Sequence, residues 1–180
     1  MKDRISKTTL LCEDDGHAML VRSYWKLCKQ SVTSSPLEVK NASRIVRGGN
    51  IGWVLDQFPK ELEAARSRHS ARANTLLIVV ADADDLSVAM REHNLCDREA
   101  YTDSDPLVVL IPKRHIETWV CSAIGGLVGE NEDCKRHHLT KADFREAAKR
   151  IHDWARNDPS DDSTCVPSLR VALSRWKRIG

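Results

Sequence analysis

The sequence lacks several features that would each settle a class. No apolar run approaches the roughly 20 residues of a bilayer-spanning helix; the longest, within "TLLIVVA" and "PLVVLIP", are strand-sized. There is no excess of one charge, with 28 Lys and Arg against 26 Asp and Glu for a net +2. The whole-molecule field therefore does not demand a nucleic-acid partner, although a local basic patch would suffice for one. "LSRWKRIG" and "RIVRGG", the latter with Arg44 and Arg47, are such basic stretches. The six cysteines contain no CxxC pair, and a chain of 180 residues does not need disulfide staples. Cys12, Cys28 and Cys121 lie among apolar neighbours and read as small buried hydrophobes. "VRGGNIG" lacks the GK[ST] ending of a phosphate loop. There is no internal repeat and no low-complexity segment. "MKDRISKTTLLC" places charge where a signal peptide needs its apolar segment, so a cytoplasmic location away from membranes is expected.

What is present is a globular composition, 41% apolar and 30% charged, in a length that suits one domain with a real core. "KTTLLC" reads as a first strand and "HAMLVRSYWKLCKQ", with apolar residues near helical spacing, as a helix. "SVTSSP" is a loop and "LEVKNAS" a short second strand. "GGNIGWVLDQFPKELEAARSRHS" is helical, with Pro59 marking its start or a kink. "TLLIVVAD" is a third strand with no polar interruption, the pattern of a strand covered on both faces in a parallel sheet. "DLSVAMREHNLC" is a helix, "PLVVLIP" a fourth strand and "KRHIETWVCSAIGGL" the helix after it. Two more helices follow, "KADFREAAKRIHDWA" and "PSLRVALSRWKRI", the first introduced by Thr140 and Asp143 as a near capping box. Alternation of strand and helix specifies an α/β sandwich with extra C-terminal helices.

The strands end in acid. The first runs into Glu13, Asp14 and Asp15, the third into Asp82, Asp84 and Asp85. The fourth runs into Lys113 and Arg114, with Glu117 a turn into the next helix. Functional groups in parallel sheets collect beyond the carboxyl ends of the strands, so Glu13, Asp82, Asp84 and Glu117 are expected to share one cleft. Carboxylates brought together raise each other's pKa, and a divalent cation relieves the repulsion. Oxygen donors suit Mg2+ or Mn2+. In an extended segment Asp82 and Asp84 point the same way, while Asp85 points elsewhere, towards a cap for the next helix. Glu117, partly shielded by Trp119, would be costly without a partner. Lys113 could steady a phosphate. His115 is a candidate base and His17 a candidate ligand or orienting group, each equally readable as an ordinary surface or helix-start histidine.

On "LLCEDDGHA", "LLIVVADADD" and "VVLIPKRHIETWVCSAI" the chain resembles the Toprim superfamily, in particular the small stand-alone Toprim-like proteins of bacterial defence neighbourhoods related to the nuclease domain of OLD-type proteins. The likeness spans roughly residues 8 to 125. It implies a three-layer sandwich with a mostly parallel central sheet, a Toprim-like core over 1–130, and a helical extension over 131–180 packed on the same domain. It implies metal-dependent cleavage of DNA or RNA in antiviral defence, with an ATPase subunit as a partner. The resemblance makes Glu13 an acid/base or metal-coordinating carboxylate, Asp82 and Asp84 metal ligands, Glu117 a further ligand or orienting group, and Lys113 a stabilising charge. Family members commonly have glycine after the first glutamate and an acid four positions on; here Asp14 and His17 stand there, with Asp14, Asp15 and His17 as substitutes. No tyrosine is placed as a topoisomerase nucleophile, which favours hydrolysis over strand passage. Arg44, Arg47 and Arg114 could touch a nucleic-acid backbone.

Two other classes stay open on the sequence. One is a non-catalytic interaction or regulatory subunit with the same fold. The other is a DxD phosphatase of the haloacid-dehalogenase type, whose motif continues to a threonine where this chain has Leu86. A zinc site from Cys134, His137 and His138 matches no compact finger spacing.

Overall fold

The uninterrupted apolar run Thr75–Val80 is a strand buried at every position, because helices cover both of its faces. In the computed structural model, which describes residues 5–29, 36–46, 50–157, 159 and 163–179, it is the third of four strands. The order is β1 (Lys7–Cys12), α1 (Asp15–Lys29), β2 (Leu37–Asn41), α2 (Ala42–Ile45), α3 (Ile51–Ser70), β3 (Thr75–Val80), α4 (Val88–Arg98), β4 (Leu107–Leu110), α5 (Ile116–Ala123), a 3-10 turn (Cys134–His137), α6 (Lys141–Asn157) and α7 (Pro167–Trp176).

The sheet runs β2-β1-β3-β4 with every pairing parallel. Side chains alternate across it. Leu10, Cys12, Ile78, Val80, Val108 and Leu110 face a core built with α1, α5, α6 and α7. Leu11, Leu77, Val79, Leu107 and Val109 face a second core built with α3 and α4. This is the expected three-layer sandwich, and both C-terminal helices bury residues in the first core, Trp154 and Trp176 among them. Arg175 of α7 also donates to the carbonyl of Val109 at 3.0 Å, satisfying part of the open edge of β4 that would otherwise invite further strand pairing.

Helix starts follow side-chain chemistry. Asn50 caps α3 by accepting from the Gly52 N–H at 2.6 Å, so the helix begins well before Pro59 and continues through it, with Phe58 and Leu62 buried on either side. Ser87, not Asp85, caps α4 by accepting from the Met90 N–H. Thr140 and Asp143 form the reciprocal box at α6.

Candidate metal centre

The chain leaves β1 towards β2 on one side and returns to β3 on the other, so the strand order reverses between β1 and β3. In open parallel sheets that reversal opens a crevice beyond the carboxyl ends. Register pairs Cys12 with Val80, which brings Glu13 level with the segment after β3. Glu13 Oε1 accepts the Asp82 backbone N–H at 2.8 Å. The two acidic strand ends are thus joined directly.

Asp82 is buried, 4% exposed. Its Oδ1 lies 2.8 Å from Nε2 of His17, a histidine of α1 with no exposed surface. The other ring nitrogen of His17 lies 3.3 Å from Asp14 Oδ1, without hydrogen-bond geometry. Burial alone would lower the pKa of His17. The adjacent Asp82 carboxylate, with Asp14 and Glu13, overrides this and raises it. Asp82 is the converse: burial favours its neutral acid, but His17 and then His115 hold it in the carboxylate form. Burial pushes Glu13 up to about 7, reinforced by Asp82 and Asp84 and opposed by His17 and the Asp82 N–H.

The segment carrying Asp82 and Asp84 is not extended, as the sequence suggested. β3 ends at Val80, and Asp84 has a left-handed backbone with φ of 54°, a conformation Asp adopts more readily than most residues. Two cations hold the turn. Lys113 donates to the carbonyls of Asp84 (3.2 Å) and Leu86 (2.9 Å), so its ammonium is committed to backbone. Arg91, 6% exposed, donates to the carbonyl of Asp82 at 2.8 Å, reaches that of Ala83 at 3.5 Å and lies 3.8 Å from the Asp84 carboxylate. Sequence reasoning passed over Arg91. Its signal was position: it shares one face of α4 with Val88 and Leu95, where an apolar residue would be the default.

The left-handed turn returns Asp84 to the side of Asp82, opposite His115 at the start of α5. Ligand atoms of Asp82, Asp84 and His115 lie within 4.8 Å of one another, and no other group of three such side chains does so among the described residues. His115 Nδ1 is 3.6 Å from Asp82 Oδ2 and 4.0 Å from Asp84 Oδ1. These are electrostatic contacts rather than hydrogen bonds, and this buried nitrogen has no hydrogen-bond partner. Both separations fall below about 4.3 Å, twice a typical bond of one small divalent ion to N or O. Two carboxylates and an unpartnered imidazole therefore fit a divalent cation. Cys134, His137 and His138 form no such group.

Glu117 stands apart from these three. Its Oε1 faces Gly16, where a Cβ would sit only 2.8 Å from it and 3.2 Å from Asp14 Oδ1. Its Oε2 is buried without a partner, and burial, then Asp14, raises its pKa. Asp14, Asp15, Ser43, Glu117 and Lys135 line an adjoining cleft of ≈ 530 Å³. Trp119 is fully buried and donates to Ser168 Oγ at 2.7 Å. Arg44, after β2, pairs with Asp15 at 2.8 Å. Arg114, after β4, pairs with Asp85 at 3.0 Å. The two arginines thus follow the outer strands, flanking the acidic centre, while Arg47 lies outside the described residues.

No protein-family model, curated protein or solved structure matches this chain. What stands on geometry is a parallel α/β fold with an Asp/Asp/His group able to hold a divalent cation, and no helix among the described residues long and apolar enough to cross a membrane.

Proposed function

We propose that the chain is a metal-dependent phosphodiesterase of Toprim type that hydrolyses nucleic acid. The observation that carries this reading is the hydrogen bond from the Asp82 N–H to Glu13, which joins the acid after β1 to the DxD after β3 at the switch point of the sheet. Asp82, Asp84 and His115 would hold the cation, with Mg2+ or Mn2+ as the ions the resemblance implies. A bound divalent ion supplies a polarised phosphoryl oxygen and a more acidic water. Glu13 has one oxygen bonded by the Asp82 N–H and the other without a hydrogen bond among the described residues, and in this reading that second oxygen accepts a proton from an attacking water. Glu117 and Asp14 orient groups in the adjoining cleft, and Arg44 and Arg114 contact the backbone on either side. A role in antiviral defence beside an ATPase subunit belongs to the reading through the resemblance alone.

The test is nicking of supercoiled plasmid and cleavage of single-stranded RNA with Mg2+ or Mn2+ added. Asp84→Asn is the informative variant, because Asn tolerates the left-handed backbone and only the charge is lost. Activity should fall at least about 100-fold in Asp84→Asn and Glu13→Gln, the order of a lost general base. Cleavage that persists at the wild-type rate in both variants would overturn the assignment.

A further inference from the structure

The resemblance leads one to expect an all-oxygen pocket, yet the third group facing Asp82 and Asp84 is an imidazole. We propose that His115 is a nitrogen ligand that makes this centre select a transition-series divalent ion, represented by Mn2+, over Mg2+. The inference rests on the assignment of Asp82 and Asp84 as ligands and adds the determinant of which ion they take.

Four observations converge on His115. Its Nδ1 is the ring atom turned to the two carboxylates, at 3.6 and 4.0 Å. That atom is buried and has no hydrogen-bond partner, an arrangement an imidazole serving only as structure would normally avoid. The side chain is 13% exposed, so packing constrains the ring. His115 also occupies the N-cap of α5 without making a side-chain cap; Ser, Thr, Asp or Asn there would satisfy a helix N–H. The position therefore forgoes a local stabilisation while turning a ring nitrogen towards two acids.

The carboxylates are held independently of His115. Asp82 Oδ1 is engaged by His17, which leaves Oδ2 on the His115 side. Lys113 and Arg91 hold the backbone of the turn. Such fixed carboxylates favour one ligand geometry over rearrangement. Mg2+ prefers an oxygen octahedron and keeps several waters, whereas ions along the first transition series accept imidazole with rising affinity from Mn2+ onward.

The experiment uses the full chain and metal alone. Mn2+ binding is followed by electron paramagnetic resonance, with electron spin-echo modulation to detect a directly bound nitrogen, and by displacement with Mg2+ or Zn2+. His115→Asp is the decisive variant, because it supplies an oxygen donor and a favoured N-cap, so α5 keeps its start. His115→Gln, which offers no imidazole, is the companion. Wild type should show nitrogen coupling, resist Mg2+ excess and release Mn2+ to Zn2+. In His115→Asp the coupling should vanish and the Mn2+ to Mg2+ affinity ratio fall at least about 10-fold, the low end for disturbing a metal site's immediate support. Mn2+ bound without nitrogen coupling, or coupling that survives in both variants, overturns this inference and leaves the proposed hydrolase standing. Failure to bind either ion overturns both. Binding as described without any nucleic-acid cleavage overturns the hydrolase reading and leaves the metal choice intact.

Discussion

Replacing Arg91 by methionine isolates the support beneath the acidic turn. The Asp82 carbonyl receives its only hydrogen bond among the described residues from Arg91 Nε, at 2.8 Å in a buried setting. Hydrogen bonds from charged donors contribute about 1.5–3 kcal/mol, and a buried acceptor left alone costs a similar amount. The Ala83 contact at 3.5 Å is marginal, and Ala83 also accepts from Leu86. The Asp84 pair at 3.8 Å involves a carboxylate 44% exposed, so it adds at most about 1 kcal/mol. Methionine retains most of the apolar stem of the side chain. The sum is a destabilisation of about 2–3 kcal/mol, which for a chain of this length lowers the melting temperature by about 4–12 °C. Arg91→Lys should fall between, since an ammonium can reach one carbonyl but lacks the planar fork. Calorimetry with and without Mn2+ reads both consequences, because a loosened turn also weakens the ion's stabilising effect. A methionine variant melting within about 1 °C of wild type, with an unchanged response to Mn2+, would refute the assignment of Arg91 as the prop of Asp82–Asp84.

The remaining expectations concern parts of the fold away from the centre. Arg66 and the Thr102 backbone hold the Asp105 carboxyl down to about 2, below its unfolded value near 4; this stabilisation is in force above pH ~4 and disappears as pH falls through about 2. The melting-temperature gap between wild type and Asp105→Asn should therefore close over that window, and a constant gap would contradict the pairing. Thr140→Ala removes the cap of α6 and should cost about 1 kcal/mol, or about 2–4 °C, with the proposed cleavage activity unchanged. Burial pushes the Cys12 and Cys121 thiols up to about 12 and Cys28 up to about 11, and Cys134 and Cys165 are also buried. Iodoacetamide at pH 8 should label Cys96 alone in the native state, as read by mass; rapid labelling of a second thiol would place another cysteine at the surface.

The layers of this fold were legible because they rest on local pattern. Leu76–Ala81 has no polar interruption, and that suffices for a strand covered on both faces. Glu13 and Asp82 were legible as strand ends, and their meeting needed only the adjacency of β1 and β3. Less legible were features fixed by three-dimensional return. Asp84 reaches the side of Asp82 through a left-handed residue, whereas alternation along an extended strand would have put it there for a different reason. Ser87 captures the cap of α4 that Asp85 could have made, because the turn spends two more residues before the helix starts. Lys113 follows β4 as read, but the carbonyls of Asp84 and Leu86 claim its ammonium. His115 could not be ranked from sequence, since nothing local says that α5 starts with a ring nitrogen facing another strand's carboxylates.

The distribution of cations around the turn bears on why the acids are there. Lys113 and Arg91 donate to its carbonyls; of these two, only Arg91 comes within 4 Å of a side-chain carboxylate, at 3.8 Å from Asp84, while Arg114 pairs with Asp85 at 3.0 Å. Neither Lys113 nor Arg91 is set directly on a carboxylate: Asp82 has its close counter-charge in the His17 imidazole at 2.8 Å, and Asp84 is 44% exposed. Instead the fixed charges hold the backbone, and the carboxylates of Asp82 and Asp84 face imidazoles. His17 answers one oxygen of Asp82 and belongs to the interior; His115 stands across the gap at distances too long to bond yet short enough to share an ion. With the scaffold saturated and Asp82 Oδ2, Asp84 and His115 Nδ1 facing one gap, the arrangement leaves room for a divalent cation. It also locates the decisive measurement at the gap itself, where a bound metal would draw Asp82, Asp84 and His115 together while leaving Arg91 and Lys113 where they are.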